Sequence, residues 1–160
     1  MEGKTVRLAE ETKIVPILEP EDHAAGVDGD SVSMENYGHV TFVIVFGELT
    51  GDAVLKVYEG ATAGAKTTAK TFNYRATGAD LKLADGDKLG GEASSAALTL
   101  TAATYEDRMI VVEMDDSELT DGCPWVTPEI SSAASEEFAA IVAILSKPRY
   151  AQNVPPTAIA

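Results

Sequence analysis

Apolar side chains in this sequence recur mostly at period two, and residues 39–46, HVTFVIVF, carry the pattern furthest. Val40, Phe42, Ile44 and Phe46 fall on one face of that run, and His39, Thr41, Val43 and Val45 on the other. The run is β-branched and aromatic, too short for an independent helix, and closed by Gly47. One face is wholly apolar and the other becomes apolar halfway along. That pattern predicts a strand in the middle of a sheet, buried on one face and largely covered on the other.

The flanking segments follow the same period. Residues 12–18 predict a strand, which Pro16 confines to a sheet edge or to an arm lying on a neighbour, because proline has no amide hydrogen. Residues 19–30 read as a loop and 31–34 as a short strand, with 36–38 turning into the central run. In 53–58, Ala53, Leu55 and Val57 oppose Val54, Lys56 and Tyr58, as in an antiparallel strand with one wet side. The turn at 50–52 is expected to join that strand to the central run as a hairpin. Residues 71–75, 97–101 and 109–114 alternate as well, while 60–69 and 79–95 read as loops. Pro128 predicts an edge or bulged strand at 125–130. Residues 138–145 are apolar throughout; alanine would suit a buried helix there, but the short length and β-branched content favour a strand.

About seven or eight short strands without an amphipathic helix predict an all-β fold, a jelly-roll-like antiparallel β-sandwich with extended N- and C-terminal arms. The expected organisation is one domain over 1–160, with a core of about 12–146 and a C-terminal arm at 147–160. Pro148, Pro155 and Pro156 forbid a helix in that arm. The arm cannot bury Tyr150, Val154 and Ile159 within itself, so it is expected to be disordered or to lie on another subunit.

Composition narrows the function. At 45% hydrophobic residues the 160-residue chain can build a real core. Its 12 Lys and Arg against 26 Asp and Glu give a net charge of -14, which argues against nucleic-acid binding. The same charge suits a soluble, self-repelling surface or docking on a basic partner. No window approaches the roughly 18 apolar residues of a membrane span. The opening residues Met1, Glu2, Gly3 and Lys4 hold no apolar signal core, so synthesis and folding in a cytoplasm are expected.

No catalytic, cofactor or metal site is predicted. Cys123 is the single cysteine, which rules out an intramolecular disulfide or a cysteine cluster within one chain. Its possible catalytic partners, His23 and His39, carry no family-type signature. Asp28 with Asp30, Asp85 with Asp87, and Asp115, Asp116 and Asp121 could collect a cation, but none fits a calcium-loop template. Gly86, Gly90 and Gly91 form no phosphate-cradling motif, with no following Lys-Thr or Lys-Ser. Tyr37, Tyr58, Phe72, Tyr74 and Tyr105 could build a sugar platform, though core and sheet-face packing accounts for them better.

Three stretches resemble a known family: VPIL at 15–18, NYGHVTF at 36–42, and AILSKPRYAQ at 143–152 followed by PPTAI at 155–159. They are similar to the small decoration, or cement, proteins encoded beside the major capsid gene of tailed bacteriophages. The resemblance covers both ends and the central run, not the loops between. It implies a β-sandwich on the outer face of a virion capsid that clamps major capsid subunits, self-associates as a dimer or trimer at symmetry axes, and performs no chemistry. The residues assigned to partner contact are Pro16, Arg149, Tyr150, Pro155, Pro156 and Ile159. A guanidinium beside an aromatic ring, as at Arg149 and Tyr150, suits a carboxylate or ring on a neighbour. The alternatives are another phage part (a tail or fibre-base sandwich), a carbohydrate-binding β-sandwich module, or a hydrolase with paired carboxylates.

Overall fold

A computed structural model describes residues 7–78, 88–133, 135–149 and 159. Two antiparallel sheets face each other across one apolar core. In the first, six strands run in the order β1 (Lys13–Asp22), β12 (Glu137–Pro148), β4 (Tyr37–Leu49), β10 (Met109–Asp115), β7 (Phe72–Ala76) and β8 (Ala93–Ser95). In the second, β11 (Trp125–Ile130) pairs with β5 (Ala53–Gly60). Short strands flank that pair: β2 (Val27–Asp28) and β3 (Val32–Ser33) on β11, β6 (Thr68–Lys70) and β9 (Leu98–Leu100) on β5. The helical pieces are single turns, α1 (Leu8–Glu11) and α2 (Ala102–Tyr105), besides a 3-10 turn at Asp116–Glu118.

The central strand is β4, flanked by β12 and β10. Val40, Phe42 and Ile44 are fully buried and Phe46 nearly so, packed in one cluster with Leu55, Val57, Val126 and Ile130. Residues 138–145 form a strand, as their length and branching predict, and β12 makes the longest ladder of the fold with β4.

Several expectations need correction. Gly47 does not close the central strand, which runs on to Leu49. Between Phe46 and Leu49 the register with β12 shifts by one residue, and a Cβ on Gly47 would lie 3.2 Å from that of Phe138. Gly47 therefore marks a bulge, where a side chain would crowd the partner strand.

The hairpin of β4 and β5 does not exist, because the two strands belong to different sheets. The segment 50–52 carries the chain across the core. Strand β11 is not an edge strand either, since it has neighbours on both sides. Its Pro128 is accommodated because β3 pairs only with Trp125 and Val126, and β2 only with Glu129 and Ile130. The ladder is thus interrupted where the proline has no hydrogen to give. The segments read as loops at 60–69 and 79–95 contain the start of β6 and the whole of β8, and residues 79–87 lie outside the described residues. Finally, residues 13–22 are an edge strand rather than an arm, with Pro16 and Pro20 and the acids Glu19 and Glu21 blunting the open edge.

Candidate functional site

The outer face of the six-stranded sheet is unusually apolar. Registers across it define rows of facing side chains. One row runs from Pro16 through Val142, Val43 and Val111 to Arg75. A second runs from Ile14 through Ile144 and Thr41 to Glu113 and Asn73. A third joins Ala140, Val45 and Met109. Ile14, Val45 and Phe138 are 42%, 44% and 41% exposed on this side. The outer face of the second sheet differs, with Lys56 opposite Glu129 and Tyr58 opposite Thr127. There Lys66 bridges Asp28 at 2.9 Å and Glu129, and lies 5.6 Å from the Tyr58 ring centre. One sandwich face is dressed for water; the other is not.

The apolar band ends in a polar cluster. His39 Nδ1 lies 3.0 Å from Asp115 Oδ1 and its Nε2 3.4 Å from Glu113 Oε1, while Lys147 Nζ donates to Asp115 Oδ1 at 3.1 Å. His39 first, and Lys147 second, hold the Asp115 carboxyl below its ordinary range. Arg149 pairs with Asp116, and its backbone amide donates to Asn36 O at 3.0 Å. Ladder contacts continue to Pro148, opposite Tyr37.

Of the residues assigned to partner contact, Pro16 lies exposed in the apolar band and Arg149 at its polar end. Tyr150, Pro155 and Pro156 lie outside the described residues. Ile159 is half-buried against the chain's own core, in an antiparallel bridge with Val32. The structure therefore does not bring Ile159 onto the band with Pro16.

The other candidates disperse. Cys123 is half-buried in the turn before β11, its amide donating to Thr120 O, while His39 is engaged with carboxylates and His23 with Glu19 O. Asp115 and Asp116 are taken by the chain's own cations, and Asp28 by Lys66. Asp85, Asp87 and Gly86 lie outside the described residues. Among the described residues, no group of three His, Cys, Asp or Glu could hold a metal ion. Tyr37 and Phe72 are core residues, Tyr74 and Tyr105 pack against that core, and Tyr58 stands on the second sheet. These rings share no exposed platform.

Two buried glutamates were not singled out from the sequence. Glu59 is 2% exposed and accepts from Thr120 N at 2.8 Å and Thr120 Oγ1 at 2.7 Å, with Lys70 Nζ at 3.3 Å. Burial raises its carboxyl, but the Thr120 and Lys70 donors together carry it below its ordinary value. Glu137 is fully buried at the start of β12. The alternation itself was the available signal: Glu59 continues the phase of Ala53, Leu55 and Val57, and Glu137 that of Ala139 and Ile141.

No protein-family model matches the chain, and no curated protein matches it. Among solved structures, the crystal structure of SPBc2 prophage-derived protein YomS is similar to it, with a TM-score of 0.48 and 14% sequence identity, covering 89% of this chain and 98% of that one.

Proposed function

We propose that this chain is a virion structural protein: a decoration or cement protein that docks on the outer surface of a tailed-phage head and ties neighbouring major capsid subunits together. The observation that carries this reading is the exposed apolar band over strands β1, β12, β4 and β10 of the six-stranded sheet. In a chain of net charge -14, a wide apolar face is where a partner can be received without meeting like charge. The surrounding carboxylates favour a basic shell as that partner. The sequence resemblance at 15–18, 36–42 and 143–159 supports the same assignment.

In this reading the chain acts by contact rather than catalysis, with no cofactor, nucleic acid or membrane. Pro16 contributes to the band and Arg149 to its polar end, Tyr150, Pro155 and Pro156 form the tail's share of the contact, and Ile159 anchors the tail to the chain's own core at Val32. Self-association as a dimer or trimer at capsid symmetry axes multiplies modest contacts into avidity. Repeated crossing of the chain between the two sheets supports a jelly-roll-like description of the sandwich. The test is to mix the protein with bare heads and with purified tails, then heat the particles. Binding to heads and their survival to higher temperature is the expected result. Binding to tails alone would favour another virion part, and heads that survive no better would remove the cementing role.

A further inference from the structure

Glu137 opens β12 on its inner face, and its side chain is wholly buried. Neither carboxyl oxygen makes a well-formed hydrogen bond among the described residues, and the one backbone group that pulls on it, at Ala133, does not offset the burial. A carboxylate so placed is tolerated far better neutral than ionised. Burial pushes this one up from an ordinary 4.5 to about 7; Ala133's backbone and His23 pull downward, and Asp22 pushes further up.

The surroundings form a corner, where the chain leaves β11 in one sheet for β12 in the other. The Glu137 amide donates to Asp22 Oδ1 at 2.9 Å, and the His23 amide donates to Glu137 O at 2.8 Å. Thr50 N donates to Glu136 O at 3.0 Å. The titratable groups facing Glu137 are Asp22 at the end of β1 and His23 just beyond it. From β4 the facing residue is Leu49, and from the β11–β12 connection Ala133; neither titrates. His23 Nε2 lies 3.0 Å from Glu19 O, which can only accept, so that nitrogen carries a hydrogen.

We propose that Glu137 is a proton-operated latch: protonated, it is held between the sheets and keeps this corner closed; ionised, it draws the corner open and frees Asp22 and His23 at the end of β1. The folded chain keeps the proton up to about pH 7, whereas an opened or unfolded chain releases it near the ordinary glutamate value. The closed form is therefore progressively disfavoured as pH rises through that window, with no further change above it or below it. The latch is independent of what the outer sheet face binds.

The test follows the Glu137 side-chain carboxyl carbon by NMR across pH in the full chain. It is joined by amide exchange, corrected for intrinsic rates, in wild type and Glu137→Gln. The expected carbon titration is centred near 7. Protection of the His23, Glu137 and Thr50 amides should fall about tenfold per pH unit through the window, while the Val43 and Val142 amides hold steady. In Glu137→Gln the corner should lose this pH dependence. A carbon titrating at the ordinary value, or corner protection in wild type that ignores pH, overturns the proposal. Should Glu137→Gln fail to fold, the wild-type titration and exchange decide alone.

Discussion

Glu59 and Glu137 both occupy the inward phase of an alternating strand, yet only Glu59 meets well-formed hydrogen bonds there. Its carboxylate joins β5 to the 3-10 turn's exit at Thr120 and to Lys70 on β6, so the charged form is the stabilised one. The sign is opposite to that at Glu137. With its folded pKa below the ordinary value, Glu59 contributes stability that is present above the ordinary glutamate range and lost as pH falls through the folded value. Glu59→Gln should cost about 1–3 kcal/mol at neutral pH, since it weakens charge-assisted bonds and unpairs buried donors. Urea denaturation should show that gap closing in acid. Both glutamates were legible as positions from period two alone. Their opposite chemistry was not, because Thr120 is far from Glu59 in sequence and the Lys70 pairing needs the β5–β6 register, while the poor hydrogen bonding at Glu137 depends on how a corner folds.

At the scale of elements, 39–46 and 53–58 are legible from alternation, with Phe42 and Leu55 on inward faces as the pattern implies, and 138–145 is legible as a strand from its length and β-branched content. The connection of β4 to β5 is not. A hairpin keeps both strands in one sheet; an arch sends the second across the core. Either way, Phe46 and Leu55 point inward, so the pattern of apolar positions is identical. What distinguishes them is the close approach at the corner, where a Cβ on Gly51 would lie 2.3 Å from Ala133 O and 3.3 Å from Ser135 Cβ. A turn-like sequence at 50–52 hides this need. Gly51→Ala should therefore destabilise by about 1–3 kcal/mol through forced backbone shifts, measured by chemical denaturation. A change near zero would mean the arch has slack.

For the whole molecule, the sandwich class followed from strand count, whereas the apolar outer face did not. Val43 and Val45 were read as largely covered. They lie instead in the band of side chains facing away from the core, with Val45 exposed, and only the registers of β1, β12, β4 and β10 reveal that their neighbours are apolar too. The tail separates into two parts on the same grounds. Pro148 and Arg149 belong to the body through Tyr37 and Asn36, so a truncation should begin after Arg149. Deleting 150–160 should lower head binding while shifting the melting temperature by only a few degrees, as expected for about 1 kcal/mol lost with Ile159. Unchanged binding would take the tail out of the contact.

The most direct test of docking through the outer face is occupancy on bare phage heads at limiting protein, comparing wild type with Val45→Asp and Phe138→Asp combined. Both side chains are more than 40% exposed, so the folded chain should keep its melting temperature within a few degrees. Buried under a partner, each new carboxylate must be desolvated, and an affinity loss of at least about tenfold is expected. Wild-type occupancy by the doubly charged variant would contradict the account.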